Sequence, residues 1–131
     1  MRDLMKPIHA ALLALCFSAG TAGADVRVID GDTFEMDGLI YRLNGIDAPE
    51  LGQRCGQWAC GTDATKALAD LLSGSSVNCE KIELDPYGRW IATCFADGSD
   101  LSAAMIDKGL AWAFVKFSNT YLPGELVSKD K

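Results

Sequence analysis

Closely spaced turn signals cut this chain into segments too short for anything but small strands and short helices. Asp30-Gly31, Asp37-Gly38, Asp85-Pro86-Tyr87-Gly88 and Asp97-Gly98 are the main ones, each pairing a turn-forming residue with a glycine free to take positive φ. Val26, Val28, Phe34 and Met36 alternate around Asp30-Gly31 and read as two short strands with a kink. Leu39 to Ile46 is the cleanest alternation: Leu39, Tyr41 and Leu43 share one face, while Ile40, Arg42 and Asn44 share the other. Val77–Leu84 and Arg89–Ala96 form a hairpin around the proline turn. Two helices complete the pattern. One carries Ala64, Ala67, Leu68, Leu71 and Leu72 on a single stripe, with Thr62 or Asp63 as cap and Gly74 as stop; the other runs from Leu101 to Lys108 and stops at Gly109. Three strands, a helix, two strands and a helix predict a mainly β fold. A five-stranded OB barrel with two short helices fits it, and an open α+β sandwich is the alternative. Glu125 to Lys131 supplies barely two turns for a third helix.

The first residues read as an address rather than as structure. Arg2 and Lys6 precede an apolar run from Ile8 to Phe17, and Ala22-Gly23-Ala24 resembles a cleavage site before Asp25. The run is too short to span a bilayer. An ordinary buried helix fits less well, because an Ala/Gly-rich stretch follows it; a lipid anchor on Cys16 would want a smaller residue than Leu15 before it. The expected organisation is a signal peptide over 1–24 and one domain over 25–131, in the periplasm or secreted, with no membrane anchor after processing. The sole histidine, His9, leaves with the signal peptide, which excludes a Ser-His-Asp triad, a Cys-His pair and a His-rich zinc site in the domain.

Export makes the cysteines informative, since an oxidising compartment favours disulfides. Cys55, Cys60, Cys79 and Cys94 remain and allow three pairings. Cys79 and Cys94 lie at nearly equal distances from the proline turn, so a hairpin sets them opposite each other, and Cys55 is then expected to join Cys60. A four-cysteine zinc site would need close ligand pairs on both sides, which Cys79 and Cys94 do not make.

The chemistry gathers in a few short stretches. Asp30 and Asp32 flank Gly31 at one strand end, and Asp47 and Glu50 flank Ala48-Pro49 at another. If those ends adjoin, the carboxylates repel unless a cation or an arginine stands among them. Oxygen donors of this kind prefer calcium or magnesium to zinc. Arg42 precedes Asp47 by five residues, and Arg89 follows the proline turn. Two guanidinium groups beside carboxylates and a hard cation describe a clamp for a phosphoryl group. Each signal alone is commoner as a solvated turn or a surface arginine; their combination carries the reading.

Val28-Ile29-Asp30-Gly31-Asp32-Thr33, Arg42-Leu43-Asn44-Gly45-Ile46-Asp47-Ala48-Pro49-Glu50 and Asp85-Pro86-Tyr87-Gly88-Arg89 resemble, in order, the three signature blocks of the thermonuclease (staphylococcal nuclease) family, and Gly109-Leu110-Ala111 resembles its block after the second helix. The resemblance spans Val26 to Val115. It implies an OB-fold barrel and Ca2+-dependent cleavage of DNA and RNA phosphodiesters at the 5′ P–O bond, leaving 3′-phosphorylated products, with Mg2+ a poorer fit. By matching motif, Asp32, Asp47 and the backbone carbonyl of Ala48 would hold the metal. Arg42 and Arg89 would hold the phosphate, Glu50 would act on the attacking water as base or orienter, and Asp30 would support them from behind.

Departures from that family shape the remaining expectations. Leu51 to Gly61, a loop that is lysine-rich in the staphylococcal member, holds two cysteines and one charge, Arg54. The formal net charge is −6, from 12 Lys and Arg against 18 Asp and Glu, and a negative protein does not concentrate polyanions by bulk charge. Single-stranded DNA or RNA is therefore the expected substrate of a monomer. Tyr87 and Tyr121 are the expected stacking residues, with core packing ahead of stacking for the later aromatics Trp112, Phe114, Phe117 and Tyr121. The competing readings are a non-catalytic OB module that binds nucleic acid or another extracellular polymer, and a calcium-binding accessory domain of a polysaccharide-export system.

Overall fold

The computed structural model describes residues 25–114. The expected signal peptide, the expected third helix, Phe117 and Tyr121 lie outside those residues. Elements follow in the order β1 (Val26–Asp30), β2 (Thr33–Met36), β3 (Leu39–Leu43), β4 (Ile46–Asp47), α1 (Cys60–Leu72), β5 (Val77–Leu84), β6 (Trp90–Ala96), β7 (Ser99–Asp100), α2 (Leu101–Asp107) and β8 (Trp112–Ala113).

The hairpin turns behave as their residues dictate. Asp37 and Gly38 both take positive φ (52° and 80°), the paired left-handed conformation whose twist matches that of flanking antiparallel strands. β1, β2 and β3 accordingly form a meander, with Phe34 opposite Tyr41 and Met36 opposite Leu39. β5 and β6 pair antiparallel across the proline turn with a register shift between Lys81 and Glu83. β3 then joins β6 in parallel, giving the order β1-β2-β3-β6-β5, while β7 pairs with the far end of β6. A three-strand meander joined to a hairpin through one parallel contact is the OB arrangement of strands. It replaces the open sandwich alternative.

Phe34, Leu43, Ile46, Leu68, Leu101, Met105 and Ile106 are the large, fully buried side chains. α1 contributes Ala64, Leu68 and Leu72 from its expected stripe and packs over β1, and α2 packs on β6. Asp100 caps α2, its carboxylate accepting from the Ser102 and Ala103 amides.

Local details differ from the sequence expectations for physical reasons. Leu39 to Ile46 is not one strand: β3 stops at Leu43, the chain bends at Gly45 (φ 77°), and Ile46–Asp47 pairs separately with β8. α1 begins at Cys60 rather than after Thr62 or Asp63, and its first residue is tied back to Cys55. Asp63 instead accepts a 2.6 Å hydrogen bond from Trp58 Nε1. Trp112 stays 41% exposed, on the surface rather than in the core.

Both disulfides have the expected pairing. Cys79 faces Cys94 across the β5–β6 ladder with Cα atoms 4.0 Å apart, and Cys55 joins Cys60 at 5.7 Å. The longer loop restricts the unfolded chain more. Replacing Cys79 and Cys94 together by alanine is expected to cost about 3 kcal/mol, against about 2 for the Cys55–Cys60 pair, in urea unfolding.

Candidate active site

The site is assembled by one turn, one bend and one hairpin end. The β1–β2 turn presents Asp32, which is only 5% exposed. Its Oδ1 accepts from Thr33 Oγ1 (3.0 Å) and its Oδ2 from the Ala48 amide (2.9 Å), while Arg42 Nη2 lies 3.4 Å from Oδ2. A buried carboxylate requires such partners. Gly31 lets the turn settle into place, since a Cβ there would come within 2.7 Å of the Ala64 side chain and 2.9 Å of the Ala48 side chain.

Arg42 leaves β3 just before the bend and folds back over it. Nη1 donates to the carbonyls of Leu43 (3.0 Å) and Ile46 (2.8 Å), on either side of Gly45, and Nη2 reaches Asp47 Oδ1 at 3.5 Å. The guanidinium therefore both closes the bend and joins the two aspartates. Asp47 is exposed and Glu50 is exposed beyond it. Burial raises the Asp47 pKa, as do the neighbouring charges of Asp32 and Glu50, with Arg42 opposing them. Asp30 sits behind, its Oδ1 accepting from the Asp32 amide at 3.1 Å. Its pKa is pushed up to about 6 by burial first and then by its hydrogen bond to, and repulsion from, the Asp32 carboxylate.

Arg89 arrives from the other hairpin. Arg42 is in register with Ile91 in the parallel β3–β6 pair, so Ile91 and, two residues earlier, Arg89 belong to the same face as Arg42. Both arginines line one groove of about 550 Å³, together with Tyr87, Ile91 and Phe114. Asp85 steadies Arg89: its carboxylate accepts from the Arg89 amide (2.8 Å) and Nε (2.7 Å) and from the Tyr87 amide (2.9 Å). Burial works against the charged form of Asp85, but those hydrogen bonds prevail and hold its pKa below the usual carboxylate range. Tyr87 is 83% exposed and its ring lies 5.5 Å from the Arg89 guanidinium.

Asp30, Asp32, Arg42, Asp47 and Ala48 thus share direct contacts, Glu50 joins them through its charge, and Arg89 and Tyr87 join Arg42 along the groove. Asp85 is an addition, and its position at the head of its turn, four residues before Arg89, was the available signal. Phe114, weighed above with core packing ahead of stacking, is only partly buried and lines the groove.

The donors suit a hard cation. Asp32, Asp47 and the Ala48 carbonyl supply oxygen alone, and the carboxylate repulsion that adds to burial in raising the Asp47 pKa is what a divalent ion would relieve. Among the described residues no three His, Cys, Asp or Glu side chains form a cage, so such an ion would complete its shell with main-chain oxygen, water or substrate. The four-cysteine zinc alternative is excluded because all four thiols are consumed in disulfides.

The family described as "Staphylococcal nuclease homologue" matches residues 41–126, more than half of the chain. The chain belongs to the staphylococcal nuclease family. Among its relatives, the succinoglycan biosynthesis protein ExoI of Rhizobium meliloti (strain 1021) is 38% identical over 118 residues, covering 81% of this chain and 62% of that protein. An uncharacterized endonuclease of Escherichia coli O157:H7 is 38% identical over 101 residues, covering 73% and 63%. A micrococcal nuclease of Shigella flexneri is 34% identical over 105 residues, covering 70% and 58%. The chain therefore spans somewhat less than two thirds of these family members.

The Asp30 shift has a consequence for stability. A carboxyl whose pKa is higher folded than unfolded favours the fold below its unfolded value and loses that contribution as pH rises through about 6. Asp30→Asn keeps the acceptor for the Asp32 amide and removes the charge. In chelator, its melting temperature relative to the parent is expected to rise between pH 4 and pH 7; a constant difference in a thermal unfolding series would contradict the shift.

Proposed function

We propose that this member of the family is an exported nuclease that hydrolyses phosphodiester bonds of DNA and RNA with Ca2+ as cofactor, leaving 3′-phosphorylated products. The observation that carries this is the pair of arginines, Arg42 from β3 and Arg89 from the turn before β6, lining one groove, with Arg42 anchored on Asp32 and Asp47. Export is supported by the two disulfides and by the basic, apolar opening of the chain.

In this reading the scissile phosphate lies at the Arg42 and Arg89 end of the groove. Arg89, gripped through Nε by Asp85, and Arg42, fixed over the Gly45 bend, bind phosphoryl oxygens and stabilise the charge that builds on them during in-line attack. Their orientation is set before substrate arrives, so little reorganisation is needed as the transition state forms. Glu50 takes a proton from the attacking water or orients it. The water oxygen bonds to phosphorus, the bond from phosphorus to O5′ breaks, and O5′ acquires a proton; the products are a 3′-phosphate and a 5′-hydroxyl. Asp32, Asp47 and the Ala48 carbonyl would hold Ca2+, which when bound supplies further positive charge for the phosphoryl oxygens. Asp30 keeps the Asp32 loop in place.

Substrate preference follows from the surface. Without excess positive charge, affinity rests on local contacts, and exposed Tyr87 beside Arg89 offers a face on which an unpaired base can stack. Single-stranded DNA or RNA is favoured for that reason.

The test is incubation of the purified chain with single-stranded DNA and RNA, in Ca2+ and in chelator, with analysis of product ends. Calcium-dependent cleavage to 3′-phosphates is expected. Binding without cleavage would instead identify a non-catalytic OB module. Arg42→Ala and Arg89→Ala are each expected to lower turnover on the order of 10³-fold or more, and near-normal turnover in both would refute their assignment. Tyr87→Ala is expected to raise KM about tenfold with kcat little changed.

A further inference from the structure

Glu50 has an exposed side chain, yet its main chain is held from both directions. The Glu50 amide donates to Gln53 Oε1 (3.2 Å) and the Gln53 amide donates to the Glu50 carbonyl (2.8 Å), so one residue closes a ring on the other. Gln53 is itself anchored, its carbonyl accepting from the Gly61 amide in the first turn of α1 (3.0 Å). Cys60 Sγ lies 3.7 Å from the same carbonyl; a disulfide sulfur carries no proton, so this is packing only. The Cys55–Cys60 bridge joins the loop to the start of α1, and Cys55 and Trp58 exchange two main-chain hydrogen bonds within it.

Gly61 explains why the fit is so close. A Cβ at that position would stand 1.7 Å from the Glu50 carbonyl oxygen and 3.0 Å from the Gln53 nitrogen. Alanine is the better helix former, so glycine here serves the contact with the loop rather than the helix. Upstream, the same segment is pinned where the Ala48 amide meets Asp32. The stretch from Asp47 to Glu50 is therefore fastened at both ends.

We infer that Gln53, backed by Gly61 and the Cys55–Cys60 disulfide, is a positioning residue that sets Glu50 relative to the attacking water. The inference rests on the nuclease reading above and adds to it a specific downstream clamp. A small displacement of a group that handles the reacting water is enough to lower turnover, whereas phosphate binding by Arg42 and Arg89 does not depend on this loop.

The test uses the full chain on single-stranded DNA in Ca2+. Gln53→Ala is expected to lower kcat about 10- to 100-fold with KM little changed. In a Glu50→Gln background the same replacement is expected to have almost no further effect, because the two act as one unit. Equal losses in both backgrounds, or no loss in either, would overturn the inference. A second measurement is independent of activity. Amide hydrogen exchange at Gln53 and Gly61 is expected to be slow in the native chain and faster in Gly61→Ala and in the Cys55→Ala/Cys60→Ala pair, at temperatures where both remain folded. Unchanged exchange in both variants would show that no clamp exists. Absence of cleavage by the native chain, with the exchange effects present, would sink the nuclease reading and the positioning role together while leaving the clamp established as structure.

Discussion

Removing a carboxylate from water costs several kcal/mol unless its partners replace the lost hydration, and Asp32 meets that requirement with a hydroxyl, an amide and a guanidinium. Each partner belongs to a different stretch of chain. Thr33 opens β2, Ala48 follows β4, and Arg42 comes from β3, so satisfying one buried charge fixes the relative positions of three segments. Without that carboxylate, the Ala48 amide would lose its acceptor and Arg42 would keep only the more exposed Asp47 as an ionic partner. The candidate site is in this sense a by-product of solving a burial problem.

Arg42 extends the same logic. Its guanidinium satisfies two carbonyls left by the bend at Gly45 and still reaches both aspartates. A lysine could not span these four acceptors with one planar fork. The parallel β3–β6 register then supplies the second arginine on the same face. Arg89 is held differently, through Asp85 in its own turn. One arginine is thus positioned by the barrel and the other by a local hairpin, and the groove lies where the two meet.

The disulfides divide their work. Cys79–Cys94 staples the long hairpin that carries Arg89, while Cys55–Cys60 fastens the loop after Glu50 to α1. In a domain this small, cross-links of this kind supplement a limited core. The second bridge also replaces charge with rigidity in a loop holding only Arg54 as a charged residue between Leu51 and Gly61. In the proposed nuclease, that exchange would leave local contacts to hold the substrate.

The residues alone determined the strand meander, the second hairpin, both helices and both cysteine pairings, because turn chemistry and alternation act over a few residues. They also named the acidic and arginine set that the fold brings together, through the combination alone, since each of those residues taken singly is commoner as a solvated turn or a surface arginine. Only the tertiary structure decided that β3 breaks at Gly45, that α1 starts at Cys60, that β3 and β6 run parallel, and that Asp85, Gln53 and Gly61 hold the groups around them. These depend on which distant backbone groups meet and which glycines have no room for a Cβ. Local sequence encodes the pieces; burial and hydrogen-bond pairing between pieces decide where the chemistry stands.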